Sequence, residues 1–158
     1  MFDPEATDEA TACYHEAGHA WMAHLLGGHV TLCTIEDEDG SCMGKTTITW
    51  RGIGGRELAR KIALAALAGP VAEARWRGDM DLLESLAAWE ADWREATRAI
   101  AAFAAPHERS TALRALIDEA ATAFDDEDCW ERLCRVADAL EAHGTLDRDL
   151  FGDAIGED

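Results

Sequence analysis

The chain has 158 residues and carries 32 Asp and Glu against 14 Lys and Arg, a formal net charge of -18. That length suits one domain burying about 70% of the surface its unfolded chain exposes, and that charge repels phosphate backbones, which argues against a nucleic-acid partner. Five cysteines, Cys13, Cys33, Cys42, Cys129 and Cys134, are odd in number and include no C-x-x-C pair, so reduced thiols of a cytoplasmic protein are expected rather than a disulfide framework or a cysteine zinc site.

The N-terminus Met1-Phe2-Asp3-Pro4-Glu5 lacks the basic and apolar regions of a signal peptide, and no apolar run approaches a membrane span, so no membrane partner is expected. A first helix begins near Asp3 or Thr7 and ends at Gly27-Gly28. On its wheel Cys13, Ala17, Ala20, Trp21 and Leu25 form one stripe and His15, His19, Met22 and Leu26 a second, so one side faces the core and the other a cleft. Gly18 in its interior costs about 1 kcal/mol relative to Ala and marks a close approach by another backbone. The run His29 to Ile35, the polar turn Glu36 to Gly40 and the run Met43 to Trp50 read as a hairpin or small sheet.

Arg56 to Ala68 has helical spacing, Gly69-Pro70 interrupts it, and a short helix from Pro70 to Trp76 follows. On the wheel of Ala88 to Ala105 the apolar arc holds Trp89, Trp93, Ala96, Ala99, Ile100 and Phe103, opposite Glu90, Arg94 and Arg98. Asp92 falls inside that arc, where a carboxylate costs several kcal/mol unless it is paired or bound to a metal. Amphipathic helices at Ser110 to Phe124 and Asp128 to Ala142 flank an acidic run read as a solvated loop, and Gly144 to Asp147 turns into a last short helix.

The stretch His15-Glu16-Ala17-Gly18-His19 has the spacing H-E-x-x-H. Histidines four apart sit about 40° from each other around a helix, so both imidazoles reach one ion. In zinc peptidases of this spacing the glutamate is the general base on a metal-bound water. A third ligand is needed from elsewhere. The metzincin position, six residues past the second histidine, holds Leu25, and His24 and His29 are off the site face or past the helix end. The inward Asp92 is the better candidate, although the wheel does not choose it over the rim residue Glu95.

The chain resembles the peptidase domain of FtsH-type ATP-dependent zinc proteases. The resemblance starts at His15-Glu16-Ala17-Gly18-His19-Ala20, which has the family's form H-E-A-G-H-A. Leu67-Ala68-Gly69-Pro70-Val71-Ala72-Glu73 is similar to L-G-G-R-A-A-E, and Glu90-Ala91-Asp92-Trp93-Arg94-Glu95-Ala96-Thr97 to E-N-D-L-x-x-A-T. Leu116 to Glu119 and Ala139 to Asp147 resemble L-I-D-E and A-L-L-x-x-E-T-L-D. The resemblance spans roughly Asp8 to Ile155. It implies a mainly α, zincin-like domain with a small β-hairpin or sheet after the first helix. It also implies Zn2+ held by His15, His19 and Asp92, with Glu16 activating the water.

The family's membrane segments and AAA+ ATPase are not among these residues. The expectation is therefore a zinc metallopeptidase acting on short or unfolded peptides, alone or behind a separate AAA+ ATPase, with an oligomer possible. The rival is a non-hydrolytic binding or regulatory protein that keeps the fold. Glu73 is expected either beside a ligand histidine or on the helix surface, and the tryptophans are expected in packing.

Overall fold

The computed structural model describes residues 4–36, 44–84 and 90–156. Its elements in chain order are α1 (Pro4–Leu25), β1 (His29–Thr34), β2 (Lys45–Thr49), α2 (Gly55–Arg77), α3 (Glu90–Ile100), α4 (Arg109–Asp125), α5 (Glu127–His143), β3 (Thr145–Asp147) and α6 (Arg148–Ile155). Short 3-10 turns at Met80–Glu84 and Pro106–Glu108 precede α3 and α4. The fold is thus mainly helical with a small antiparallel sheet after the first helix, as expected. Asp3, the turn residues 37–40, Cys42, Met43, Ala88 and Trp89, on which some sequence expectations fell, lie outside the described residues.

The sheet has the order β2-β1-β3. Between β1 and β2 the register runs from His29 opposite Thr49 to Thr34 opposite Lys45, with an irregularity between Val30 and Leu32. The third strand was not expected. Residues 145–147, read as a turn into the last helix, pair Leu146 with Cys33 and Thr145 with Thr34. Three residues are too few for alternation to register, and the pairing comes from α5 delivering the chain to the free edge of β1.

Helices α1 and α2 form the centre of the core. A Cβ built on Gly18 would lie 2.5 Å from the Ala68 carbonyl oxygen and 2.7 Å from the Ala72 Cβ, so glycine is what lets the two backbones meet. The expected break at Gly69-Pro70 does not occur: α2 runs through it as one helix to Arg77. Proline removes the N–H that would bond to the Ala66 carbonyl, and in an isolated helix it costs about 3 kcal/mol. Here Ala63 to Ala72 are buried without exception, and Leu64, Leu67 and Val71 are at or below 1% exposure. Burying each such side chain contributes about 1.5–3 kcal/mol, which outweighs one lost bond. Gly78, at φ 72°, ends the helix in the left-handed conformation, as glycine commonly does.

Around this pair, α3 is shorter than its wheel suggested: it stops at Ile100, and hydrogen-bonded turns continue to Ala104. The acidic run is exposed to solvent as expected but forms no loop: Asp125 ends α4 and pairs with Arg75, and Asp126 caps α5 by accepting from the Cys129 backbone N–H at 2.9 Å. On α1 the first stripe is buried except Leu25, 47% exposed at the helix end, and in the second His19 and Met22 are buried while His15 and Leu26 are partly exposed. No helix among the described residues is long and apolar enough to cross a membrane.

Candidate metal centre

One helix supplies three of the candidate groups. His15 and His19 stand one turn apart on α1, their ring centroids 4.8 Å from each other, and ligand atoms of His15, Glu16 and His19 lie within 4.8 Å of one another. The fourth group arrives from 77 residues later: Asp92, in the first turn of α3, sets Oδ2 2.7 Å from His15 Nε2 and Oδ1 3.2 Å from His19 Nε2. Ligands of a tetrahedral zinc at about 2.0–2.1 Å stand about 3.3 Å apart. The His19–Asp92 spacing already matches, and the His15–Asp92 pair is closed further by a direct hydrogen bond. Glu95, which the wheel could not separate from Asp92, is exposed.

Each imidazole is held by its other nitrogen. His19 Nδ1 lies 2.8 Å from the Ala65 carbonyl oxygen, a group that only accepts, so Nδ1 carries the proton and the neutral ring's lone pair sits on Nε2. His15 Nδ1 is 3.3 Å from Glu73 Oε1, with the same consequence. Glu73 thus stands beside His15 and not on the helix surface, with Arg77 3.8 Å from its other oxygen. Two lone pairs therefore face one carboxylate, an arrangement that needs protons or a cation between them. A divalent ion bound by imidazole and carboxylate fits this donor set.

The electrostatics in the metal-free protein say the same. Burial disfavours the charged His15 imidazole, but hydrogen bonds to Asp92 and Glu73 outweigh it and raise its pKa to about 10. His19 is raised too, with burial opposed mainly by the charge of Asp92. For Asp92 burial works upward, yet the His19 charge and the hydrogen bonds from both rings hold it well below the usual carboxylate range. Protons thus occupy the place that a cation would take.

The pocket for His19 depends on a glycine that motif reading did not single out. A Cβ on Gly69 would stand 2.3 Å from His19 Nε2 and 2.4 Å from Cε1, so the ring lies flat against bare backbone of α2. Ala65, one turn earlier, offers the carbonyl. Neither residue carries a chemical signal, and Gly69 entered the sequence reading only as a helix interruption and as part of the segment Leu67 to Glu73. Glu16 is 6% exposed and accepts a hydrogen bond from the Thr46 hydroxyl at 2.9 Å.

The remaining candidates lie elsewhere. His24 stacks on Trp21 at 5.5 Å and meets Phe151 edge-on, and His29 is exposed on β1. Tyr14, Trp76 and Trp130 stack together with Arg75 over Trp130, which makes them packing as expected. Burial pushes the Cys13 and Cys33 thiols up to about 12, so both are protonated at neutral pH. The chain matches no family model, and no curated protein matches it.

Proposed function

We propose that this protein is a zinc-dependent metallopeptidase of the FtsH type, hydrolysing peptide bonds of unfolded or short peptides in the cytoplasm. It acts alone or behind a separate AAA+ ATPase. The observation that carries the reading is the meeting of the Asp92 carboxylate with both imidazoles of the H-E-x-x-H helix, across 77 residues of sequence. His15, His19 and Asp92 are the residues that would hold the ion. Bound there, zinc supplies Lewis acidity, lowering the pKa of water towards about 7 and polarising a carbonyl.

The chain's own chemistry is proton movement. Glu16, on the same helix turn as the histidines, takes one proton from water as the water oxygen bonds to the scissile carbon. It then passes that proton to the amide nitrogen as the C–N bond breaks, leaving a carboxyl and an amine. Glu73 and the Ala65 carbonyl keep both rings oriented with Nε2 towards Asp92. Strand β2 lies at the edge of the sheet beside Glu16, so an extended peptide can add to it by backbone pairing.

Glu16→Gln tests the reading: zinc content should stay at the wild-type level while cleavage of an unfolded casein-like substrate falls to background. Undiminished cleavage would remove Glu16 as the base. Zinc-loaded wild type that cleaves nothing across a peptide library would favour the binding-protein alternative.

A further inference from the structure

We infer that Thr46 is a positioning residue for Glu16, and that Gly44 and Thr46 together hold its carboxylate on the strand side of the site, beside the two imidazoles. This deepens the peptidase reading and rests on it for its catalytic meaning. Glu16 is buried, and a buried carboxylate needs hydrogen-bond donors. The Thr46 hydroxyl supplies one, 2.9 Å from Oε1, and lies 3.4 Å from the Glu16 backbone oxygen. A hydroxyl has a single proton, and the shorter, charge-assisted bond to the carboxylate claims it.

That leaves the Thr46 oxygen free to accept. Cys33, directly across the ladder from Thr46, has its Sγ 3.6 Å from that oxygen and 3.7 Å from the Glu16 backbone carbonyl, two acceptors within reach of its one S–H proton. The thiol buttresses the hydroxyl, and the hydroxyl holds the carboxylate. Gly44, two residues before Thr46 and so on the same face of the extended chain, supplies room: a Cβ there would stand 2.3 Å from Glu16 Cγ and 2.8 Å from Oε2. Gly44-Lys45-Thr46 therefore presents a gap and a donor to one side chain, and the β-branched threonine does so with little rotamer freedom.

The hold has a consequence for the role of Glu16. One carboxylate oxygen lies within 4.8 Å of a ring nitrogen of each imidazole while Thr46 holds the side chain, so the held position is already beside the cluster. A carboxylate fastened to Thr46 stays available to take a proton. Released, it samples other rotamers, and a misplacement of about 1 Å is enough to cost on the order of 100-fold in rate.

The test compares Thr46→Val, which keeps the shape without the hydroxyl, with Thr46→Ser, which keeps the hydroxyl. On a quenched fluorescent peptide, Thr46→Val should lower kcat by roughly 10- to 100-fold, with KM and bound zinc within about twofold of wild type, and Thr46→Ser should recover most of the loss. Independently of activity, denaturation midpoints of the metal-free wild type, Thr46→Val, Glu16→Ala and the double variant should be non-additive, the double variant losing less than the two single losses combined. Unchanged kcat in Thr46→Val, equal loss in the serine variant, or additive midpoints would overturn the inference. A wild type that hydrolyses no peptide would sink the peptidase reading instead, and the midpoint cycle would still decide whether Thr46 holds Glu16.

Discussion

Substituting Gly69 by alanine should separate the proposed metal binding from folding, because the one added carbon points at the His19 ring and not at a core side chain. Gly69 has no left-handed backbone to protect, so alanine suits its helix and gains up to about 1 kcal/mol there. The new Cβ, however, would stand 2.3 Å from His19 Nε2 and 2.4 Å from Cε1. Carbon contacts settle at about 3.5–4.0 Å, so the ring must retreat by roughly 1.2 Å or more. Functional constellations tolerate about 0.5 Å. The rotation also strains the bond from Nδ1 to the Ala65 carbonyl.

Losing a histidine's support costs about 10- to 100-fold in metal affinity, and moving the ligand itself should reach at least the upper figure, about 2.8 kcal/mol. Folding should change less, by up to about 2 kcal/mol, since an overpacking cost of about 1–3 kcal/mol is partly offset by a helix gain of about 1 kcal/mol. Competition with a chelating dye measures the first quantity and a urea titration of metal-free protein the second. Zinc affinity within twofold of wild type would refute the reasoning, because the imidazole would then not lie where its contact with Gly69 puts it.

Gly18→Ala should destabilise the fold by about 1–2 kcal/mol, since the added Cβ meets the fixed Ala68 carbonyl oxygen at 2.5 Å and not a movable side chain; a urea midpoint at or above wild type would count against that packing. Metal-free protein should show two pH limbs. His15 is raised to about 10, so its contribution is complete below the ordinary value near 6.5 and fades as pH climbs through about 10, whereas Asp92 is lowered, so its contribution is complete above about 3.8 and fades in acid. Because zinc must displace the protons on both imidazoles, its apparent affinity should rise from pH 6 to pH 8 with protons released on binding, a result calorimetry in buffers of different ionisation enthalpy would detect. A pH-independent affinity would contradict the shared proton-and-metal site.

The helices were legible because their apolar positions repeat at regular spacing, and the first two strands because they are rich in β-branched residues on either side of a polar turn. Asp92 was legible for a different reason: an acidic residue in an apolar arc demands a partner, and the partner is the histidine pair. The uninterrupted α2 was not, because Gly69-Pro70 breaks a helix locally and only the surrounding core, invisible in a linear reading, overrules it. Strand β3 was hidden by its length. The groups that hold the site's side chains in place were the least visible: the Ala65 carbonyl belongs to every residue alike, Gly69 acts through what it lacks, and Thr46 sat in a strand whose threonines all looked equivalent.

Metal analysis of purified protein, wild type against Asp92→Asn, is the most direct trial of a three-ligand centre. Wild type should carry about one equivalent of zinc that survives gel filtration, as three protein ligands imply, and Asp92→Asn, nearly identical in shape, should lose most of it while melting as a folded protein. Wild type that takes up no zinc, or an Asp92→Asn variant that holds it as tightly as wild type, would contradict it.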